Sequence, residues 1–335
     1  MKKILIIATG GTIACVQSEY GLRPEMDGEE LLKYIPDLRD RYQLDCLQLC
    51  NIDSTNMTPD VWGKIVKAVK DNYLNYDGFV ICHGTDTLAY TSAALSYMIR
   101  NSNKPIVLTG AQKPINLDST DARTNLSDSI LYAADDNSTG VSVVFGGKVI
   151  AGTRAKKTRA HSFNAFSSVN FPALAVIREG RIIRYIPCRK FQEPVQFTEK
   201  VRDSVVVLKL IPGIKPDILE YLFLHYDCLV IESFGVGGIP QSLVDVFYQE
   251  MEKWISKGKI VIMATQVVNE GSDMEVYEVG QKIKNDFNLM EAYDMTLEAT
   301  ITKMMYLMEV CDRNYIEIYD GFYKEINYDT VYNQS

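Results

Sequence analysis

The sequence predicts an α/β protein: a larger N-terminal domain on a mainly parallel sheet, and a smaller C-terminal α/β domain. Three observations carry that expectation. Up to about residue 190, short apolar runs alternate with segments of helical periodicity, the pattern of a parallel sheet covered by helices. After a stretch that lacks it, the same alternation restarts near residue 205. The 335 residues also exceed what one typical core supports, so two domains are the default.

The first apolar run, Ile4-Leu5-Ile6-Ile7-Ala8, reads as a buried strand discharging into Thr9-Gly10-Gly11-Thr12-Ile13-Ala14. Open α/β sheets place their chemistry at that edge, and paired glycines let backbone approach a ligand closely, so Thr12 would present its hydroxyl to a crevice. A purely structural Gly-rich turn is the competing reading of this motif taken alone. Residues 15–26 form a long polar loop beside it, more typical of a lid than of a simple connector. Asp27 N-caps a short helix through Ile35, which Pro36 ends. A second strand over 43–50 runs into Asn51-Ile52-Asp53-Ser54-Thr55. Thr58 and Pro59 then start a helix with the apolar face Val61, Trp62, Ile65, Val66, Val69 and Tyr73. The third strand, 78–82, empties into His83-Gly84-Thr85-Asp86-Thr87, and a helix follows to about Arg100. The fourth strand, 105–109, ends in Gly110-Ala111-Gln112. In a parallel sheet these hydroxyl, amide and carboxylate loops lie side by side.

From Gly140 the pattern becomes hairpin-like, pairing 141–145 with 149–152 around Gly146-Gly147-Lys148, and 175–178 with 181–185 around Glu179-Gly180. Residues 187–203, with mixed charge and little periodicity, read as an interdomain linker. The domains are accordingly set at 1–190 and 205–335, with the linker at 191–204. Strands over 205–211, 228–232 and 259–264 then alternate with helices after Pro216, over 241–255 and from about 296 to 310. The polar stretch that follows has too little periodicity to assign. The first domain is thus expected to carry a Rossmann-like sheet.

Lys and Arg total 35 against 43 Asp and Glu, a net charge of −8, which speaks against nucleic acid or an anionic membrane as a partner. No run approaches the roughly eighteen apolar residues of a membrane-spanning helix. Lys2 and Lys3 precede too short an apolar run for a secretory signal. Seven cysteines, an odd number without a CxxC pair, fit reduced thiols in the cytoplasm. Cys46 and Cys50 share a strand face too far apart to bridge. Three histidines with no Cys/His grouping argue against a metal site.

The crevice would gather Thr12, Ser54, Thr55, Thr85, Asp86 and Lys157. A threonine hydroxyl is a weak nucleophile and needs a base, and a lysine shielded from water in a cleft accepts a proton more readily. Asp86 is placed to orient that lysine or to hold a substrate ammonium, and N–H groups around Gly84 and Thr85 to stabilise an oxyanion. This chemistry points to acyl transfer on a small amino-acid-like molecule.

Two motifs, TGGTIA at 9–14 and GFVICHGTDTL at 78–88, resemble the signature motifs of the bacterial-type L-asparaginase family, in its short cytosolic (type I) branch. The resemblance extends through NIDSTNM at 51–57, LTGAQ at 108–112, GTRAKKTRAHSFNAF at 152–166 and ESFGVGGIP at 232–240, and fades in the final stretch. It implies that Thr12 is the nucleophile attacking the side-chain amide of L-asparagine, giving an acyl-enzyme and ammonia before water releases aspartate. It further implies that Thr85 and Lys157 relay protons, that Asp86 holds the α-ammonium, and that Ser54 binds the α-carboxylate with Thr55 beside it. No cofactor or metal, a cytoplasmic location and a homodimer or homotetramer are implied as well. Either threonine is open as the first attacker.

Two positions depart from the family pattern. Many relatives place a tyrosine ten residues after the loop threonine, where this chain has Leu22, with Tyr20 two positions earlier. Either Tyr20 swings in from the lid or Leu22 packs over the substrate. An offset of two residues in extended chain moves a side chain about 7 Å, which favours Leu22. Secreted relatives also donate an asparagine to a neighbouring subunit from the stretch matching 235–240, where this chain has Gly238-Ile239. A related amidotransferase subunit carries an added N-terminal domain, and reaching TGGT by residue 9 counts against that alternative; an idle amino-acid sensor is the other. Among the remaining candidates, His83 reads as a hydrogen-bonded structural residue, the GVGG at 235–238 as a turn and Cys15 as a packing thiol.

Overall fold

A strand that is apolar on both faces is stable only inside a sheet covered on both sides, and the first strand lies there. The computed structural model describes residues 1–18, 21–287 and 289–332. The chain divides into two units, Met1–Lys200 and Val201–Ser335.

The first unit begins with β1 (Lys3–Gly10), the hairpin β2 (Cys15–Ser18) and β3 (Gly21–Pro24), the short helices α1 (Gly28–Leu32) and α2 (Pro36–Arg39), and β4 (Gln43–Ile52). Next come α3 (Pro59–Asn72), β5 (Gly78–Cys82), α4 (Leu88–Met98), β6 (Ile99–Arg100), β7 (Pro105–Thr109) and α5 (Ala122–Ala133). It closes with β8 (Gly140–Phe145), β9 (Lys148–Ala151), β10 (Ala155–Lys157), β11 (Phe166–Ser168), β12 (Ala175–Arg178), β13 (Arg181–Arg184) and β14 (Gln196–Phe197). One sheet runs in the order β13-β12-β9-β8-β7-β5-β1-β4. Strands β4, β1, β5, β7 and β8 are parallel, and β9, β12 and β13 antiparallel. Ile4, Ile6, Ile7, Val80, Ile81, Val107 and Leu108 are wholly buried, each stabilising the fold by about 2 kcal/mol relative to exposure.

The expected α/β class holds, and several local expectations do not. Residues 15–26 are not a plain loop: Cys15 to Ser18 pair antiparallel with Gly21 to Pro24. The polarity of Gln17 and Ser18 concealed a hairpin that Gly21, at φ +118°, helps to turn. Asp27 does cap α1, in a reciprocal capping box with Glu30. Pro36, however, also opens α2, at the first helical position that suits its fixed φ. The helix expected to reach Arg100 stops at Met98, because Ile99 and Arg100 pair with Phe197 and Gln196 from the expected linker. Helix α5 escaped periodicity because its buried face is partly polar: the Asn125 amide donates to the Gly110 carbonyl, and Ser129 to the Asn125 carbonyl.

The second unit holds β15 (Val205–Lys209), α6 (Ile218–His225), β16 (Cys228–Ser233), α7 (Gln241–Ile255), β17 (Ile260–Thr265), α8 (Glu278–Phe287), β18 (Met290–Glu291), α9 (Leu297–Val310) and α10 (Tyr315–Tyr323). Its sheet, β15-β16-β17-β18, is parallel throughout. Leu229, Ile231, Phe247, Met251 and Met263 are central to its core. Helix α10 lies in the stretch that periodicity left unassigned; the Asn314 side chain caps it, and Ile318 and Phe322, one turn apart, are its buried residues. On α9 the Lys303 ammonium forms a wholly buried ion pair with Asp329 at 2.7 Å and donates to the Lys324 carbonyl at 2.8 Å.

Candidate active site

From β1 the chain passes to β4 on one side and returns to β5 on the other, so the C-terminal ends of β1 and β5 flank a topological switch point. In open α/β sheets a crevice opens there. Its walls are the loops after β1, β4 and β5. They meet backbone to backbone because two contacts admit only glycine. A Cβ on Gly11, whose φ is +79°, would lie 2.4 Å from Gly84 Cα, and one on Gly84 would lie 2.6 Å from Ser54 Oγ. Hydrogen bonds tie the same loops: the Gly11 N–H donates to the Ile52 carbonyl at 3.1 Å, and the Thr87 hydroxyl to the Ser54 carbonyl at 2.8 Å.

The result is a cavity of about 80 Å³ lined by Gly11, Thr12, Cys15, Asp53, Ser54, Gly84, Thr85 and Asp86. Lys157 arrives from β10, which β11 holds in an antiparallel pair. Its ammonium donates to Thr85 Oγ1 at 2.8 Å and to Asp86 Oδ1 at 2.7 Å. Thr85 and Ser54 are buried. The Asp86 side chain is 58% exposed, open to an incoming cation, against 19% for Lys157.

Thr12, Ser54, Thr85, Asp86 and Lys157 are therefore brought together. Thr55 is exposed and turned aside, its N–H and hydroxyl both donating to Asp53 Oδ1 at 2.8 and 2.9 Å. Tyr20 lies outside the described residues, as does the side chain of Leu22, whose backbone pairs with Gln17. Two lining residues were not foreseen as such. Asp53 sits inside a recognised motif, and its place immediately after β4 was the available signal. Cys15 lines the cavity and donates its thiol to the Gly11 carbonyl at 3.4 Å. Burial, with the Asp53 charge second, pushes that thiol up to about 11, so it is an inert wall at neutral pH.

His83 is wholly buried and engaged through both ring nitrogens. Trp62 Nε1–H donates to Thr91 Oγ1 at 3.0 Å, whose proton then serves His83 Nε2 at 2.9 Å, leaving Nδ1–H for the Gly84 carbonyl at 2.7 Å. Burial lowers its pKa to about 4. A neutral imidazole in this position shapes the loop after β5 rather than exchanging protons with the cavity.

A hydroxyl on a glycine loop, a second hydroxyl bonded to a lysine and an accessible carboxylate are the parts of covalent acyl transfer. Among the described residues, no helix is long and apolar enough to cross a membrane.

Comparison with known proteins adds the following. Residues 3–187 match the family model described as Asparaginase, N-terminal, and residues 204–317 match the Glutaminase/Asparaginase C-terminal domain. The L-asparaginase of Thermococcus kodakarensis is 37% identical over 311 residues, covering 91% of this chain and 92% of the relative. A glutamyl-tRNA(Gln) amidotransferase subunit of Methanosphaera stadtmanae is 32% identical over 335 residues, 95% of this chain and 74% of that protein. The crystal structure of L-asparaginase I from Vibrio cholerae superposes with a TM-score of 0.87 at 28% identity, covering 99% of each chain.

Proposed function

The chain belongs to the asparaginase family, and on that premise we propose that it hydrolyses L-asparagine to L-aspartate and ammonia through an acyl-enzyme on Thr12. The observation that carries this reading is the Lys157–Thr85–Asp86 cluster, of which Thr85 and Asp86 line the same cavity as Thr12. Asp86 takes the substrate's α-ammonium, for which its carboxylate is accessible, and the buried Ser54 takes the α-carboxylate. The side-chain amide then lies over Thr12. Attack by Thr12 Oγ forms a C–O bond and an oxyanion, which loop N–H groups stabilise, while the Thr12 hydroxyl proton passes to the Thr85–Lys157 relay. Collapse breaks the C–N bond, the nitrogen leaves as ammonia with a proton relayed through Thr85 and Lys157, and water cleaves the ester. Thr55, turned toward Asp53, acts by fixing the Ser54 turn. The enzyme works in the cytoplasm as a homodimer or homotetramer, without cofactor or metal.

The test is a steady-state ammonia assay on asparagine and on glutamine, with Thr12→Ala beside the wild type. A loss of at least about 10³-fold is expected for the variant. If the purified wild type releases no more ammonia from asparagine than Thr12→Ala does, the reading fails. Similarity to the amidotransferase subunit supports a second reading, ammonia supply to a partner protein; turnover of free asparagine by the isolated chain at full rate counts against it.

A further inference from the structure

Gln112 follows β7, one loop further along the sheet edge than Thr85, and is not on the cavity wall. Its backbone N–H donates to both oxygens of the buried Asp121 carboxylate, at 3.0 and 2.9 Å, which fixes where the side chain starts. The amide nitrogen Nε2 faces two carbonyls, Ala160 at 2.9 Å and Ser162 at 3.3 Å. Carbonyls only accept, so the amide orientation is determined: its NH₂ lies toward the 160–162 loop and its oxygen lies toward Thr85. Thr85 Oγ1 lies 3.3 Å from Oε1.

Thr85 has one hydroxyl proton and, among the described residues, two hydrogen-bond partners. Lys157 is a donor to Thr85 Oγ1 at 2.8 Å, so that contact consumes a lone pair, and the hydroxyl proton is left for the one acceptor, Gln112 Oε1. We propose that Gln112 is a positioning residue for the Thr85–Lys157 relay: it holds the Thr85 proton away from Lys157 in the empty site and anchors the loop that follows Lys157. The 3.3 Å contact is a weak hydrogen bond. A substrate atom that competes for the proton therefore swings the hydroxyl out at little cost. The same amide spans two segments far apart in sequence, so Thr85 and the loop beyond Lys157 keep a common frame. This inference rests on the functional reading above and adds a residue that the reading does not use.

Gln112→Leu and Gln112→Met, of similar size and without polar atoms, test it against the wild type with asparagine. The expected result is a kcat lower by roughly tenfold, since a small misplacement of a reacting group costs that much or more. The KM should stay within about twofold, because neither variant touches the residues assigned to the substrate's ammonium and carboxylate. The solvent deuterium isotope effect on kcat should rise, as a misaligned relay makes proton transfer rate-limiting. A kcat within about twofold of wild type in both variants would overturn the inference. So would kcat and KM worsening together with an unchanged isotope effect, or failure of both variants to fold; each of these makes Gln112 a structural tie only. A wild type no more active than Thr12→Ala ends the functional reading itself, and this inference with it.

Discussion

The two units end comparable strands in comparable residues and use them differently. In the first, the loops after β1 and β5 deliver Thr12, Thr85 and Asp86 to a cavity, and Lys157 bonds to two of them. In the second, β16 and β17 also run parallel and also finish in Ser, Thr, Gln and glycines. There each polar group turns back on the backbone. Ser233 donates to the Ala264 carbonyl at 2.7 Å, Thr265 to the Gly235 carbonyl, and the Gln266 amide to the Leu210 and Glu232 carbonyls at 2.7 and 3.0 Å. Phe234 and Gly238 bond each other across a tight turn, so GVGG is a turn. Polar residues at strand ends line a cavity where loops pack on each other; where the loop folds onto its own strand they serve as its ties.

The largest test of that contrast sets Lys157→Met against Ser233→Ala. Losing the lysine should lower kcat about 10³-fold, near 4 kcal/mol at the transition state. Ser233→Ala should leave kcat and KM alone and reduce stability by about 1 kcal/mol through its buried hydrogen bond. Equal losses of activity in the two variants, measured by the ammonia assay and urea unfolding, would dissolve the contrast.

Acid should also act on the first unit. His83 holds a pKa of about 4 in the folded chain against 6.5 unfolded, because burial disfavours its charge. The unfolded state therefore binds the extra proton between those values, so the contribution is complete above pH 6.5 and is lost as pH falls toward 4. Its size is about 3 kcal/mol. Asp128 works in the opposite sense: burial raises its carboxyl to about 6, so its contribution is lost as pH rises through that value. The clean observable is the stability gap between wild type and His83→Asn, which should narrow by up to about 3 kcal/mol between pH 7 and pH 4. A gap independent of pH would mean that the imidazole is not held neutral.

Glycine substitution gives the smallest difference. Gly84→Ala pushes a methyl to within 2.7 Å of both Ser54 Oγ and Cβ and should cost about 2 kcal/mol together with activity. Gly235→Ala meets nothing within 4 Å, and only its φ of +54° resists, at about 1 kcal/mol and with kcat unchanged. Thermal unfolding with parallel kinetics separates the two; an active Gly84→Ala would show that the loops need not touch.

Much of the architecture was legible where one physical signal dominates. The runs that became β1, β5 and β7 are apolar on both faces and admit no other placement. Helix α7 coincides with its amphipathic stretch, 241–255. Legibility failed where burial is polar. Asn125 and Ser129 hid α5, and Arg154, of a residue type seldom buried, is wholly buried and stacks 5.6 Å from Phe171. The site was legible in kind from Thr12, Thr85 and Asp86, but Lys157 stands 72 residues from Thr85. No local spacing joins such a pair, so residue chemistry could nominate Lys157 but could not bring the two together. Gln112 and Asp53 stood inside quoted motifs without standing out, because amides and carboxylates at strand ends read equally well as caps.

The buried pair of Lys303 and Asp329 sets an order of events during synthesis. An ammonium sealed in a core without its carboxylate costs several kcal/mol, so α9 has no settled place until residue 329 has left the ribosome. Every strand of the first unit's main sheet, by contrast, is already made by Arg184. The nascent chain would therefore carry a finished main sheet in its first unit while the second unit still waits for its last segment, and a protease present at that stage should cut after residue 200 and spare what precedes it.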